Sequence, residues 1–506
     1  KEKKENEKRG WQDIKKDTDY PLYNFDISTG FHSLKQLEGF MGSTIKESDI
    51  SFNINRKLTE DEIRQTEYYC THDVEETIKV FENLKEEFDS QVLMIEAFDL
   101  PMYMFNKTKA QLSAAVLEAK RGKDRVDEFS LVFPDTLVIS EKYQYIVDWY
   151  KNPANHNYKK SLVTDVAGVP HIFAWGGIHA AVPNYQAEGI IVHCDVASLY
   201  PSIMIEYGFL SRNVKDASKY KEIREKRLQL KKEKNPMQLP LKIVLNSTYG
   251  AMKDNQNPLY DPLQANNVCV AGQLLILDLI EKLEGHCELI QSNTDGLFLK
   301  VEKEEDIEIL KSIASEWEQR TRLQLEWGRH VKIFQKDVNN YIIINEDGTY
   351  ESKGAYLKKL SDIDYDMPIV NKALINYFIN GKDISETISE SNELRDFQKV
   401  VKISSLYQYA LFGTQKIKEK VLRVFASKDE AAPEIRKVKT EDRIEKVANT
   451  PEHAFIYNDD LAGKTCPEEL DKQYYIDLAE KRLDDFLSKK TIRKSSKLKS
   501  EIKFIG

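Results

Sequence analysis

An α+β multidomain fold is what this sequence predicts, on three observations. First, 506 residues are too many for a single hydrophobic core, so the chain divides into several domains. Second, short apolar runs end in carboxylates: Ile190-Ile191-Val192 leads into Asp195, and Leu289-Ile290 leads toward Asp295. Such runs read as buried strands, which puts both acids at the ends of neighbouring strands. Third, helical patterning surrounds them, with a helix pair over 215–252, a long apolar helix from about Asn266 to Leu283, and a charge-rich helical remainder from about Met367.

The elements follow in order. The chain opens on the charged stretch KEKKENEKRG, and a helix-rich pattern runs from about 18 to 92. There Thr59, with Glu62 three positions on, makes a capping box for a helix running toward Tyr69. A mixed segment to about 188 contains an amphipathic helix from Thr108 to about Arg121 and an Asn/Lys-rich loop around 152–160. The strand-rich core is expected to start near Gly189. Asn235-Pro236 breaks the 215–252 pattern into two helices by its turn chemistry. A strand near 341–345 precedes the turn Glu346-Asp347-Gly348. No internal repeat is visible.

Composition narrows the function classes. Hydrophobic residues make up 41% of the chain, which describes a folded protein. No run approaches the ~18 apolar residues that span a bilayer, and no signal-peptide pattern opens the chain. Five cysteines without a C-x-x-C pair point to neither a zinc site nor a disulfide framework, and fit a reducing intracellular setting. A net charge of −9 and a pI near 5.7 argue at first against a nucleic-acid partner. The distribution reverses this: residues 211–234 carry ten Lys/Arg against four acids, and Lys489 to Gly506 carries seven against Glu501 alone. Local basic stripes make the footprint for phosphates, although charge alone, without the neighbouring motifs, favours a solvated helix face.

Chemistry concentrates in three short stretches. Two carboxylates at strand ends can hold two divalent cations roughly 3.5–4 Å apart, the arrangement for in-line displacement at phosphorus. Asp295 by itself reads more readily as a β-turn aspartate, and it is Asp195 that turns the reading toward metal ligation. Lys242, Asn246 and Tyr249 share one helical face, offering a cation, an amide and a phenol. Arg227 and Lys231 on the preceding basic helix also share a face, with Arg224 an alternative to Arg227.

Asp195-Val-Ala-Ser-Leu-Tyr-Pro-Ser202, then Lys242-Ile-Val-Leu-Asn246-Ser-Thr-Tyr249-Gly250, then Asn293-Thr294-Asp295-Gly296, in that order, resemble the palm and fingers motifs of family B DNA polymerases. The resemblance implies a right-hand architecture with the palm at 189–212 and 251–366, the fingers at 213–250 and the thumb at 367–506. It implies a partial, ribonuclease-H-like 3′–5′ exonuclease domain at 1–95, and a linker or pre-palm region at 96–188. Asp195 and Asp295 become catalytic carboxylates holding Mg2+ (two ions, with Mn2+ a substitute) together with Val196, and Lys242 a catalytic cation. Ser198, Leu199, Tyr200, Arg227, Lys231, Lys242, Asn246 and Tyr249 become nucleotide-binding residues, with Tyr200 excluding a ribose 2′-hydroxyl. Gly176 and Gly177 match the glycine pair that touches template, with Ala174 where the family has tyrosine. Lys353 and Tyr356 match the Lys-x-x-Tyr element at the primer terminus.

Two departures stand out. The first acid of the family's acid-Thr-acid motif is Asn293, which accepts hydrogen bonds but brings no charge. Tyr69 and Asp73 fit the third exonuclease motif, while no Asp-x-Glu strand precedes them, and Asn24-Phe25-Asp26 only superficially resembles the second motif. They are therefore expected to be a remnant of a truncated, inactive exonuclease. The gaps between the polymerase motifs lack the insertions of protein-primed phage enzymes, so the chain looks like a compact phage replicative polymerase. It is expected to be a monomer in the bacterial host cytoplasm, acting on primer–template DNA and dNTPs without a membrane, with a clamp or single-strand-binding protein as further partners. A silent DNA-binding relative and a two-metal nuclease are the competing readings.

Overall fold

The protein was described from a computed structural model covering residues 25, 27, 32–51, 53–122, 127–440 and 443–488. The first ten residues, Asn24, Asp26 and the basic stretch from Lys489 onward lie outside the described residues.

The N-terminal region is helical: α1 (Leu34–Met41), α2 (Glu60–Asn83), α3 (Lys85–Ala97), α4 (Lys109–Val116) and α5 (Gln144–Lys151). The expected capping box is present, with Glu62 N–H donating to Thr59 Oγ1 (3.2 Å) and Thr59 N–H to Glu62 Oε2 (2.8 Å). It starts a helix that runs past Tyr69 to Asn83. Helix α4 is shorter than its sequence pattern, ending at Val116 rather than near Arg121. Glu118 turns left-handed (φ 52°) and Ala119 N–H returns to the Ala114 carbonyl (2.9 Å), after which Lys120 N–H bonds the Asn213 carbonyl (2.9 Å). A tertiary contact thus overrides the local periodicity.

An antiparallel nine-stranded sheet follows, built from β1 (Leu162–Val166), β2 (Val169–Phe173), β3 (His179–Ala181), β4 (Tyr185–Val196), and the later β5 (Glu288–Asn293), β6 (Gly296–Val301), β7 (Leu325–Asp337), β8 (Asn340–Ile344) and β9 (Tyr350–Lys353). Their spatial order is β1-β2-β3-β5-β6-β4-β7-β8-β9. The sheet therefore begins at Leu162, three strands before the expected start near Gly189. Those strands escape a sequence pattern because they are short and carry Asp165 and Pro170, which face each other in the β1–β2 hairpin.

Between β4 and β5 lie α6 (Leu199–Glu206), α7 (Ser218–Lys232), α8 (Gln238–Lys253) and α9 (Pro262–Leu283). The break between α7 and α8 falls at Asn235-Pro236 as expected. Helix α9 begins four residues earlier than Asn266, with Pro262 in its first turn and Asp261 as cap (Gln264 N–H to Asp261 Oδ1, 3.4 Å). By length and apolarity α9 could cross a membrane, which the reading of the sequence had not anticipated. It is instead the axis of the largest core, where Asn266, Gln273 and Asp278 are buried beside its leucines. Asp278 is paired with Arg320 of α10 (Glu304–Thr321) at 2.9 Å.

The region after Met367 corrects the expectation of a helical remainder. Helices α11 (Pro368–Asn380), α12 (Ile384–Glu390) and α13 (Lys472–Leu487) bracket seven strands: β10 (Lys399–Lys402), β11 (Tyr409–Phe412), β12 (Gln415–Ile417), β13 (Val421–Ala426), β14 (Ile435–Thr440), β15 (Arg443–Lys446) and β16 (Ala454–Ile456). They form a three-stranded sheet, β10-β13-β16, and a four-stranded sheet, β12-β11-β14-β15. Charges within these strands hid them. Strand β13 is buried at every position, Arg423 included. Arg423 donates to the carbonyls of Tyr457 (3.3 Å), Asp459 (2.7 Å), Gly39 (3.1 Å) and Ser43 (2.7 Å), which ties α1 to this distant sheet.

Candidate active site

Strand β4 sorts its side chains by alternation. Val192, Cys194 and Val196 are buried on one face, while His193 and Asp195 stand half-buried on the other. Asp195 faces Gly296 of β6 on one side and Glu326 of β7 on the other. Asp295 occupies the tight turn between β5 and β6, where Thr294 adopts a left-handed conformation (φ 43°). Val196 N–H donates to the Asp295 carbonyl (2.8 Å), so the turn is stitched to the end of β4. Val196 itself is 1% exposed, leaving only its main chain to offer a ligand.

The two carboxylates converge. A Cβ on Gly296 would lie 2.6 Å from Asp195 Oδ1, so the glycine gives the carboxylate its room. Burial, then the charge of Asp295, then that of Glu326 push the Asp195 carboxyl up to about 7, against the pull of Lys231. Burial likewise raises Asp295, with Lys353 opposing. Two half-buried acids, with Asp295 adding to the cost of ionising Asp195 and only peripheral lysines to offset them, suit a divalent cation. Among the described residues no group of three or more His, Cys, Asp or Glu side chains is arranged to hold a metal. The acids that approach each other here are Asp195 and Asp295 alone of the predicted site residues.

Directly after Asp195 the chain enters α6 through Ser198 in a left-handed conformation (φ 54°, ψ 58°), and Ala197 N–H is held by the Gln324 carbonyl (2.8 Å). Leu199 is core, so its contribution to the site is its backbone amide. Helix α7 lies across this turn: Arg227 Nη1 donates to Ser198 Oγ (2.7 Å) and Arg224 Nη2 to Ser202 Oγ (3.1 Å). Arg227 is thus the arginine nearer the carboxylates, and Lys231, one turn on, pairs with Glu326 (2.8 Å).

Tyr200 packs its ring on Tyr249 of α8 (centroids 4.3 Å apart) and over Gly272 of α9, where a Cβ would meet its Cε1 at 3.2 Å. The Tyr249 hydroxyl is buried without a partner among the described residues, and burial raises its pKa far above the usual phenol range. Lys242 and Asn246 lie on the exposed face of α8 and form no hydrogen bond or ion pair among the described residues.

The glycine pair has a structural role at the site. Thr294 N–H bonds the Ile178 carbonyl (2.8 Å), and a Cβ on Gly177 would lie 2.5 Å from Thr294 Oγ1. Gln273 Nε2 of α9 holds the carbonyls of Ala174 (2.7 Å) and Gly176 (2.8 Å). Gly177 therefore makes room for the turn carrying Asp295, while Gly176 is tied to α9. Asn293 accepts from His179 Nδ1 (3.1 Å). Burial, then the nearby Lys353, lower the His179 pKa, against the Asn293 bond. Lys353 at the end of β9 thus sits within electrostatic reach of Asp295. Tyr356 has the Arg482 guanidinium of α13 4.5 Å from its ring centre and Lys336 at 5.6 Å.

Tyr69 and Asp73 form a separate cluster on α2. Lys35 of α1 donates to Asp73 (2.5 Å) and Glu38 (2.7 Å), and lies 4.7 Å from the centre of the Tyr69 ring. Sequence reasoning missed Lys35, Glu326 and His179, because only tertiary pairing brings Lys35 to Glu38 and Asp73, Glu326 beside Asp195 and His179 to Asn293.

No protein-family model matches the chain. Over 239 residues it is 25% identical to DNA polymerase 1 of Saccharolobus solfataricus, covering 44% of this chain and 24% of that protein. Over 219 residues it is 25% identical to DNA polymerase 1 of Sulfolobus acidocaldarius, covering 42% and 23%. The chain thus spans about a quarter of the length of these relatives. Among solved structures it is similar to the family B DNA polymerase of Pyrobaculum calidifontis, at a TM-score of 0.46 and 14% identity over 86% of this chain and 58% of that one.

Proposed function

We propose that the chain is a template-directed DNA polymerase of family B that adds deoxynucleoside triphosphates to a primer 3′ end. The observation that carries the reading is the approach of Asp295, in the β5–β6 turn, to Asp195 near the end of β4, beneath a helix whose Arg227 reaches the turn after Asp195 and whose Lys231 pairs with Glu326 beside it. The nine-stranded sheet with α9 serves as palm, α7 and α8 as fingers, and the region from Met367 as thumb.

Asp195, Asp295 and the Val196 main chain would hold Mg2+, which when bound supplies a lowered pKa for the primer hydroxyl and charge neutralisation at the triphosphate. The chain's own groups do the rest. The amides of Ser198, Leu199 and Tyr200 and the cations of Arg227, Lys231 and Lys242 bind triphosphate oxygens, and Lys242 donates a proton to the departing pyrophosphate. An incoming triphosphate displaces Glu326 from Lys231, exchanging one anion for another. The Tyr200 ring, fixed between Tyr249 and Gly272, stands beside the sugar and excludes a 2′-hydroxyl. Lys353 steadies the primer terminus, and the thumb holds duplex by its backbone. The enzyme works as a monomer in phage replication in the host cytoplasm, with a clamp or single-strand-binding protein as helper.

Primer extension with labelled nucleotides tests the reading: template-dependent elongation supports it, and binding without elongation returns the chain to a silent relative. Degradation of a labelled strand without nucleotides would instead mark a nuclease. Tyr200→Ala is expected to lower the dNTP-over-rNTP ratio of kcat/KM by roughly a hundredfold, whereas an unchanged ratio makes Tyr200 a core residue only.

A further inference from the structure

Directly after β9 the chain makes a loop that is fixed from two sides. Gly354 takes a positive φ (107°) against the β7–β8 turn, where a Cβ would lie 2.7 Å from the Asn339 carbonyl oxygen. Lys358 N–H returns to the Gly354 carbonyl (2.9 Å), and Asn371 Nδ2 of α11 holds the carbonyls of Ala355 (3.0 Å) and Lys358 (3.1 Å). The loop thereby presents Tyr356 to α13, where the Arg482 guanidinium lies over its ring, 4.5 Å from the centre. Arg482 is half-buried, yet it forms no hydrogen bond and no ion pair among the described residues. The acid whose charge bears on it is Asp366, and that carboxylate is taken by Lys399 Nζ (2.5 Å) and by Val400 N–H (2.9 Å). A cavity of about 400 Å3 opens beside Arg482, between this loop, α11 and α13. Its charged lining is Lys358, Lys399 and Arg482 against Asp364 and Asp366. Lys358 pairs with Asp364 and Lys399 with Asp366, so the charge left over is that of Arg482.

We propose that Arg482 binds one phosphodiester of the 3′-ended (primer) strand, a few nucleotides behind its terminus, with Tyr356 as the platform that sets the guanidinium. The inference rests on the polymerase reading for the strand it names. A guanidinium held over a ring keeps its N–H donors for an acceptor, and their planar fork matches two phosphate oxygens at once. One unbalanced cation also matches the single negative charge of a phosphodiester, whereas a triphosphate brings more charge than this lining can meet. The place along the strand follows from Lys353, whose charge bears on Asp295. Tyr356 is three residues further on, at most roughly 11 Å along the chain, which is a few nucleotides at ~3.4 Å each. A contact of this type fixes the position of the strand and reads no sequence.

The test is the binding anisotropy of the full chain on primer–template duplexes, each carrying one neutral methylphosphonate in place of a phosphate. In the wild type, one substitution among the last few primer phosphates is expected to raise Kd about tenfold. Arg482→Met should raise Kd about tenfold on the unmodified duplex, and the methylphosphonate at that phosphate should then add less than about twofold. Arg482→Lys, which keeps the charge without the fork, should regain no more than about threefold, and it serves where Arg482→Met fails to fold in thermal unfolding. Three results would each overturn the assignment: no sensitive primer phosphate in the wild type, sensitivity confined to the template strand, or sensitivity that survives in both variants. Extension of the unmodified duplex is read separately. An Arg482-dependent primer phosphate without extension removes the polymerase reading and leaves the phosphate site, and extension without such a phosphate does the reverse.

Discussion

Two acid clusters among the described residues are balanced in opposite ways. At the end of the nine-stranded sheet the charge of Asp295 bears on Asp195, and the lysines that oppose the shifts, Lys231 and Lys353, stand at the rim. On α1 and α2, Glu38 and Asp73 share the ammonium of Lys35. One site leaves its charge open to an external cation, and the other closes on a cation of its own. Carboxylates in a cleft are therefore not enough to mark a metal site, and the nearest fixed positive charge decides.

The largest effect that can break this comparison is at the open cluster. Asp195→Ala and Asp295→Ala should each lower nucleotide incorporation by roughly a thousandfold while duplex affinity stays within about a few-fold, because affinity comes from many phosphate contacts elsewhere. Single-turnover extension and binding anisotropy measure the two, and incorporation by either variant at a tenth of the parent rate would sink the assignment.

At the closed cluster the effect is on stability. Lys35→Met leaves Glu38, fully buried, without its ammonium partner and with the Lys46 N–H still donating to it, at a cost of about 3 kcal/mol in denaturant unfolding. Burial, against the pull of Lys35, already pushes the Glu38 carboxyl up to about 7. A raised folded pKa contributes stability below the unfolded value and loses it as pH rises through the folded one. Removing Lys35 raises Glu38 further, so the cost should be larger at pH 8 than at pH 5, and an equal cost at both would show that Lys35 acts through packing alone.

A smaller effect sharpens the comparison from within the open site. Asn293→Asp places a carboxylate against His179, which draws the imidazole toward its charged form. Extension with Mg2+ is expected to rise or fall by no more than about fivefold, equivalent to about 1 kcal/mol. A loss as large as that of Asp295→Ala would mean that the amide, not the turn, is what the site needs.

The smallest effect is a null. A mismatched, end-labelled primer incubated with Mg2+ and no nucleotide should not shorten from its 3′ end, and Asp73→Ala should change nothing. Shortening that Asp73→Ala abolishes would show that the Lys35 cluster opens to metal after all.

Much of the site was legible without coordinates. The strand-ending acids, the Lys242–Tyr249 face and the capped helix carrying Tyr69 each follow from patterns only a few residues long. The seven strands after Met367 were not legible, because charges such as Arg423 interrupt the alternation and are paid for by carbonyls of α1 and the β16 loop. Nor was the start of the sheet at Leu162, where strands of three to five residues are shorter than the window that reveals a period.

What the sequence by itself determined was which local element presents each candidate side chain. Periodicity does this, since a strand alternates and a helix repeats whatever lies beyond it. Only the tertiary structure decided what each side chain meets: Glu326 beside Asp195, Arg482 over Tyr356, Lys35 between Glu38 and Asp73. The physical reason is that charge compensation is set by distances of a few ångströms between residues far apart in the chain, and those distances come from strand register and helix docking rather than from any local pattern.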